Sequence, residues 1–369
     1  METMDIYKLP DSELPVRLLE QCLSSKYLTN SYKLYWFLGL LEIINKGEPS
    51  KTNKIYFQDV IYQMITKSWY TILEFRLDFG AKDQLQFVIN EINKYENIER
   101  NIPEKKLINK ISHVKNDKLL GLMEDLSRYV PYRFLSPFFP EFQGMEDQKR
   151  NMKIAEASRS RHDIPYRIND RESLTILPHW LFYFYKNLPV VVGWARYKLV
   201  DFLQRRNPNV PGISFKLEAP YTRNMDRSRK YGRKYIEQKR VHDIYTSELL
   251  SQKNLSIDHF VPWKFVMHDL VWNLIPTTKK VNSSKNDRLP KWNAFFPGFV
   301  QIQYDSLTWW KKHYPKSKVL EDYLIVNSSL LNDDCSAKQF ENYMKTALYP
   351  LHILAQNQGF ELWNPKVNT

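Results

Sequence analysis

The chain has 369 residues, of which 43% are hydrophobic and 14% are aromatic, and this composition excludes a disordered or fibrous protein. Its length allows two or three domains with ordinary buried cores, since one domain usually takes about 100–200 residues. The 54 Lys and Arg residues outnumber the 41 Asp and Glu residues and leave a formal charge of +13, which favours a polyanionic partner such as nucleic acid.

Cysteine usage and the absence of apolar runs indicate where the protein works. Cys22 and Cys335 lie too far apart in sequence for a zinc-type CxxC pair, and a secreted disulfide scaffold would carry more cysteines. Residues 1–15 have no basic start followed by an apolar core, and no stretch of about 18 uncharged apolar residues occurs. We therefore expect a soluble, unexported, cytoplasmic protein with no membrane partner.

The first two hundred residues read mainly as amphipathic helix. Apolar residues recur at helical spacing over residues 34–44, 60–73 and 85–92, and these stripes predict core faces. The Lys-rich stretch 104–118 interrupts the pattern, so we expect an exposed connection whose charges serve solvation. Another helix is predicted over 180–204.

Proline and glycine mark the breaks between helical stretches. Residues 129–140 carry three prolines among aromatics, which predicts a packed, irregular segment that breaks helices, although a docking groove would have the same composition. Residues 207–212 combine two prolines with a glycine, and this turn chemistry predicts a domain junction. Beyond about residue 297 the chain again reads as helical.

Residues 255–290 concentrate the side chains that suit catalysis. This segment contains an Asp–His pair at the end of an apolar strand, an Asn–Leu pair, a second Asn, a Lys and a closing Leu–Pro: Asp258, His259, Asn273, Leu274, Asn282, Lys285, Leu289 and Pro290. Phosphodiester hydrolysis needs a base, a cation and a fixed geometry between them. The imidazole of His259 suits the base, and the oxygens of Asp258 and Asn282 are ligands that Mg²⁺ prefers.

This segment resembles the HNH family of ββα-metal nucleases, and in particular the version found in RNA-guided CRISPR nucleases. The resemblance implies that His259 is the general base and that Asp258 and Asn282 hold the metal. It also implies that Asn273 ties the connecting loop so that the imidazole faces the scissile phosphate. We expect Lys285 to clamp a phosphate as a compact point charge.

Two departures from the common family pattern affect the metal and the stability. Asn282 stands where many members have His, so the oxygen-rich site should favour Mg²⁺ or Mn²⁺ over Zn²⁺ or Ni²⁺. The structural CxxC pairs of many small HNH domains are missing, so packing of Trp263, Trp272 and Trp292 must stabilise the core instead.

The local pattern predicts two strands and a helix. We expect strands at 255–260 and 273–276, then a helix over 279–285 that is capped by Thr277 or Thr278. For the second Asp–His combination, His268 and Asp269, we favour a hydrogen-bonded loop role over catalysis.

Basic residues flank the motif on both sides. On a helix, those of the 223–240 stretch would line one side at three- and four-residue steps, and those after the second strand extend the same positive field. A solvated helix face would have the same pattern, but beside a nuclease motif we favour contact with the phosphate backbone. The predicted nucleic-acid-binding residues are Arg223, Arg227, Lys230, Arg233, Lys234, Lys279, Lys280 and Arg288.

Together these patterns predict an α+β, mostly α-helical protein with a ββα-metal finger between helical regions. We expect a helical N-terminal region at 1–211, an HNH nuclease domain at 212–300 and a helical tail at 301–369 that packs back on the body. The N-terminal region has a sensor, partner or DNA-recognition role that the residues do not decide.

The expected reaction is hydrolysis of a DNA phosphodiester, and family analogy points to anti-phage defence or restriction in a prokaryote. A nucleic-acid-binding protein with an inactive finger and an RNA-cleaving toxin remain as alternatives. A single site cuts one strand, so a double-strand break needs two sites. A homodimer and a partner sensor or ATPase protein both stay open.

Overall fold

The computed structural model describes residues 8–47, 53–220 and 223–365. The chain forms two compact units, of which the first contains the residues up to Pro208 together with Ile213–Pro220. The second unit contains Asn209–Gly212 and the remainder of the chain from residue 221. The chain first crosses between them in the predicted turn, where Gly212 adopts a positive φ of 65° that a glycine tolerates without strain.

The first unit is built mainly from helices. Its predicted helices at 34–44, 60–73, 85–92 and 180–204 are confirmed, because apolar residues at helical spacing give each a face to bury. The helices are α1 (Val16–Cys22), α2 (Tyr32–Lys46), α3 (Phe57–Trp69), α4 (Gln84–Glu96), α5 (Glu104–Ser112), α6 (Asp117–Asp125), α7 (Val130–Leu135), α8 (Asp147–Ser158) and α9 (Pro178–Arg206). α2 packs on α3 and α9 and forms the centre of this core.

A small antiparallel sheet in the first unit was not predicted. Strands β1 (Lys54–Tyr56), β2 (Tyr166–Ile168) and β3 (Ser173–Ile176) pair in the order β1-β3-β2. Strands of three or four residues are too short to display a period of two, so their sequences carry almost no signal of strand structure.

Two predictions for the first unit need correction. The stretch 104–118 is not an exposed connection, because α5 and the start of α6 occupy it and the side chains of Leu107 and Ile111 are fully buried. Apolar residues four apart suffice to anchor a short helix whose lysines face solvent. The segment 129–140 is packed as predicted, but it is largely helical, since Pro131 lies in the first turn of α7, where its missing N–H costs nothing.

The second unit combines helices with short strand pairs. Its elements are α10 (Asp226–Gln238), β4 (Leu255–His259), α11 (Trp263–Val266), β5 (Leu274–Thr278), α12 (Lys279–Lys285), β6 (Leu289–Pro290), α13 (Trp292–His313), α14 (Ala337–Asn357) and β7 (Leu362–Trp363). β4 and β5 form an antiparallel hairpin, and α12 packs across it. The predicted strands and the predicted helix of the motif are thereby confirmed. α13 runs through residue 300, where the sequence suggested a boundary.

The helix α10 lies unusually close to the strand β4. A Cβ atom at Gly232 would come within 2.5 Å of Ile257 Cδ1, so any other residue there would force that side chain to move. This close approach places the residues before and along α10 beside the end of β4.

The observed fold is a mostly α-helical α+β fold, as predicted. Within the described ranges, no helix combines the length and the apolar character needed to span a bilayer. Cys22 and Cys335 are both free thiols.

Candidate active site

The hairpin and the helix α12 position the motif residues. β4 pairs with β5 in antiparallel register, with Asp258 opposite Ile275 and His259 opposite Leu274. α12 begins after Thr278, whose Oγ1 accepts a hydrogen bond from the Val281 backbone N–H at 3.2 Å, so the predicted cap is confirmed for Thr278.

The Asp258 carboxylate is buried and held from two sides. The Lys285 ammonium lies 3.2 Å from Oδ1 and 3.1 Å from Oδ2 of Asp258, and the Tyr245 hydroxyl donates to Oδ2 at 3.1 Å. Asp258 is 2% exposed and Lys285 is 0% exposed. The Lys285 ammonium also donates to the His259 carbonyl oxygen at 2.7 Å. Because a lone buried charge is costly, the ammonium and the carboxylate stabilise each other here.

Asn282 lies over the same strand one turn before Lys285. Its Nδ2 donates to Ser256 Oγ at 2.8 Å, while its Oδ1 has no hydrogen-bond partner among the described residues. Amide and carboxylate oxygens from Asn282 and Asp258 are hard ligands, so the donor set fits Mg²⁺ or Mn²⁺. In the described part of the chain, no three His, Cys, Asp or Glu side chains form a metal-binding group. A site of one carboxylate and one amide would complete its shell with water and phosphate oxygens.

His259 is fixed by a carboxylate ten residues further along the chain. Its Nε2 lies 2.9 Å from Asp269 Oδ1, and Arg223 Nη1 donates to the same oxygen at 2.9 Å. If Nε2 carries the proton of this hydrogen bond, Nδ1 keeps its lone pair, and Nδ1 has no hydrogen-bond partner among the described residues. The Arg223 guanidinium also lies 4.5 Å from the ring centroid of Trp263.

The electrostatics of this pair keep the imidazole neutral and the carboxylate charged. Burial lowers the pKa of His259 below its usual value, although the hydrogen bond with Asp269 opposes this effect. Burial raises the pKa of Asp269, but the contacts with His259 and Arg223 outweigh it and leave the pKa of that carboxyl below its usual value. Near neutral pH the pair is therefore a neutral imidazole that is hydrogen-bonded to a charged carboxylate. His259 is only 6% exposed, so neighbouring residues cover most of its side chain.

Asn273 ties the loop that follows His259. Its Oδ1 accepts from the Val261 backbone N–H at 2.9 Å, and its Nδ2 donates to the Val261 carbonyl oxygen at 2.9 Å. Its own backbone carbonyl accepts from the Phe260 N–H at 2.8 Å. Asn273 is completely buried, so it acts through the backbone of the connecting loop.

The aromatic packing around the motif is consistent with the absence of cysteine pairs. Trp263 and Trp272 are buried. Trp292 stacks on Phe296 with ring centroids 4.1 Å apart, and Phe260 lies edge-on to Trp292 at 5.8 Å.

The predicted nucleic-acid-binding residues occupy different settings. Arg223 precedes α10, so the prediction that it shares one helix side with the others is wrong, and it contacts Asp269 instead. Arg227 donates to Asp322, and Arg288 donates to the carbonyl oxygens at the end of α12. Lys234 lies 4.2 Å from the ring centroid of Tyr314. The exposed members are Arg227, Lys230, Arg233, Lys279 and Lys280.

Tyr245 and Asp269 contact the motif residues in ways that the sequence alone does not predict. Tyr245 precedes the motif and looks like an ordinary core aromatic, which is also how its ring packs, against Phe295 and Trp363. The sequence predicts a hydrogen-bonded loop role for Asp269, and in the structure the partner in that hydrogen bond is the imidazole of His259. The sequence shows an acidic side chain at Asp269 within the motif. Which residue this side chain contacts depends on the path of the loop that follows His259.

A short hairpin crossed by one helix, with Asp258 and His259 on β4 and Asn282 on α12, is the architecture of ββα nuclease domains. A family model described as HNH endonuclease (HNH_4) matches residues 242–291, which contain β4, β5 and α12. This part of the chain is an HNH family domain, and nuclease activity is the general function that such a domain indicates. Neither the curated proteins nor the solved structures gave a significant match to the chain.

Proposed function

We propose that the HNH domain hydrolyses DNA phosphodiester bonds with Mg²⁺ or Mn²⁺ as its cofactor. The observation that supports this most strongly is the hydrogen bond between Asp269 and His259, the residue that follows Asp258 in β4. A base, an orienting carboxylate and a hard-oxygen pair are the groups that metal-assisted hydrolysis requires.

In the proposed reaction, Nδ1 of His259 removes a proton from a water molecule whose oxygen attacks the phosphorus. The bond from phosphorus to the 3′ oxygen breaks, which gives a 5′-phosphate and a 3′-hydroxyl once that oxygen takes up a proton from solvent. A cation held by Asp258 and Asn282 would neutralise the charge that develops on the 3′ oxygen. Asp269 holds the imidazole in the Nε2–H form and stabilises the imidazolium that results.

Asn273, Lys285 and the basic residues have supporting roles in this proposal. Asn273 keeps the loop after His259 in place. Lys285 holds the Asp258 carboxylate and the His259 carbonyl, and a phosphate contact by Lys285 would require it to leave this buried pair. For contact with the nucleic-acid backbone we retain the residues predicted from the sequence: Arg223, Arg227, Lys230, Arg233, Lys234, Lys279, Lys280 and Arg288.

The test compares substrates and metals side by side. Supercoiled plasmid and a structured RNA are incubated with the wild-type chain in Mg²⁺ and in chelator. We expect nicking of the plasmid in Mg²⁺ only. Cleavage of RNA alone would favour a ribonuclease, and binding without cleavage of either substrate would indicate an inactive finger.

A role in anti-phage defence or restriction is the biological part of the proposal. It rests on the analogy with prokaryotic HNH proteins that carry a large accessory region. Phage plating on cells that express the wild type or the His259→Ala variant tests it. Equal plaque numbers on both would contradict this role.

A further inference from the structure

A basic cleft beside the HNH motif is not explained by the hydrolytic residues. α10, the end of α13 and the segment 315–322 line an open cleft of about 950 Å³ within the second unit. We call it the α10–α13 cleft, and its charged and aromatic lining consists of Arg227, Lys230, Tyr231, Lys234, Trp310, Tyr314, Lys316, Lys318, Glu321 and Asp322.

The charge of the cleft favours an anion. Its lining contains five basic and two acidic residues, and one acid, Asp322, already accepts from Arg227 at 2.7 Å. Lys230, Lys316 and Lys318 have no ion-pair partner among the described residues. Lysines that converge on a concavity without carboxylate partners are suited to phosphate groups.

The aromatic wall of the cleft favours a planar ligand. Trp310 and Tyr231 stack with centroids 4.9 Å apart, and Tyr314 lies 4.9 Å from Trp310 at the edge of this stack. Tyr314 is 39% exposed, so part of its ring remains accessible. Trp310 is almost completely buried, and its indole N–H lacks a hydrogen-bond acceptor in the part of the chain that the structure describes. An accessible aromatic ring with surrounding lysines matches the needs of a nucleobase and its phosphate.

The cleft is connected to the loop that orients the catalytic base. Asp322 Oδ2 accepts from the Val271 backbone N–H at 3.0 Å, and Ser228 Oγ donates to the Asp269 carbonyl oxygen at 3.3 Å. The walls of the cleft are therefore bonded to residues 269–271, which lie next to His259. The cleft therefore shares hydrogen bonds with the loop that carries Asp269.

We propose that the α10–α13 cleft binds an unpaired nucleotide of the DNA strand that the HNH site cuts. This inference rests on the nuclease function proposed above and adds a preference for DNA with a single-stranded segment near the cut. In an intact duplex the faces of the bases are covered by stacking, whereas an aromatic, cationic cleft binds bases that have left the stack.

The experiment measures binding to a fluorescent duplex with a short single-stranded gap and to the same duplex without the gap. Chelator prevents cutting, and the full chain is used. We expect the wild type to prefer the gapped duplex by about tenfold, and Tyr314→Ala to lose this preference, since stacking on one aromatic ring contributes an affinity factor of that order. Tyr314→Phe should retain it, because the ring remains.

Two charge changes on α10 test the role of a lining lysine and provide a matched control. Lys230→Gln should reduce the slope of log affinity against log salt for the gapped duplex by roughly 0.7–0.9. Arg229→Gln alters one exposed charge of α10 that does not line the cleft, and it should leave the gap preference unchanged. Thermal melting confirms that each variant is folded.

Three results would overturn the inference. A wild type that nicks plasmid but binds both duplexes equally would refute the cleft and leave the nuclease intact. The cleft is also refuted if folded Tyr314→Ala keeps the full gap preference. A wild type that neither binds nor cuts any DNA would refute the proposed nuclease function, and the cleft with it.

Discussion

The orienting role of Asp269 leads to the sharpest prediction about the mechanism. In Asp269→Asn the side chain keeps its size but loses the charge that the 2.9 Å contact with His259 Nε2 uses. The new amide can donate to Nε2 as well as accept from it. When it donates, the ring proton moves to Nδ1, which is the atom that accepts a proton from water in the proposed mechanism.

The expected fall in kcat follows from the lost charge on residue 269 and from the changed tautomer of His259. A hydrogen bond to a charged group contributes about 1.5–3 kcal/mol, and the wrong tautomer removes the base from part of the population. Together we expect kcat to fall by about 10²- to 10⁴-fold, which corresponds to roughly 3–5 kcal/mol in the activation free energy. KM should change little, since Asp269 is not expected to contact DNA.

The assay is multiple-turnover nicking of supercoiled plasmid over a range of plasmid concentrations, which gives both kcat and KM. Nitrogen NMR of labelled histidine, assigned with His259→Ala, reports which ring nitrogen carries the proton. Asp226→Asn makes the same chemical change at an exposed position of α10 and should cut like the wild type. If folded Asp269→Asn keeps kcat within about threefold of the wild type, the orienting role is refuted.

Three further predictions address the metal site and the stability of the fold. Without divalent metal, Lys285→Met should lower the free energy of unfolding by about 3–5 kcal/mol, because it leaves the Asp258 carboxylate buried without its cation. Mg²⁺ should raise the melting temperature of this variant more than that of the wild type, and equal shifts would contradict the pairing. Asn282→Ala should raise the Mg²⁺ concentration for half-maximal nicking by about tenfold with unchanged DNA affinity in chelator, and superimposable metal titrations would exclude this ligand. Burial lowers the pKa of Lys216 to about 7 from its usual 10.5, so between these values the unfolded chain holds a proton that the folded chain releases, and stability rises with pH. Lys216→Met should be more stable than the wild type by a few kcal/mol at pH 7 and by less at pH 10, as measured by denaturant unfolding, and a difference that does not depend on pH would refute the shift.

The sequence predicted the hairpin and the helix of the motif because their determinants are local. Apolar alternation before Asp258, the capping hydroxyl of Thr278 and the spacing to Lys285 all act within a few residues. The loop contact of Asn273 with the backbone of Val261 has the geometry expected of a loop tie.

The contacts that depend on tertiary structure could not be predicted from local sequence patterns. Tyr245 reaches Asp258 from outside the hairpin, and Asp269 reaches His259 only because the intervening loop folds back. Lys285 illustrates the limit best, since its position in the sequence suggested a phosphate contact while the fold buries its ammonium against Asp258. Spacing along the chain does not specify which of several polar neighbours a long side chain contacts.

In the first unit, too, features with local determinants were predicted and features that depend on tertiary structure were not. Its long amphipathic helices were predicted from their periodicity, but the β1-β3-β2 sheet brings together segments far apart in sequence. Short strands are specified by their neighbours more than by their own residues.

The central claim is that one imidazole activates water for attack on a phosphate beside an oxygen-bound cation. The most direct measurement is the single-turnover nicking rate of His259→Ala in saturating Mg²⁺, together with its Mn²⁺ affinity by calorimetry. We predict that cutting is lost while Mn²⁺ binding and the melting temperature stay close to those of the wild type. A His259→Ala protein that nicks plasmid as fast as the wild type would contradict the mechanism.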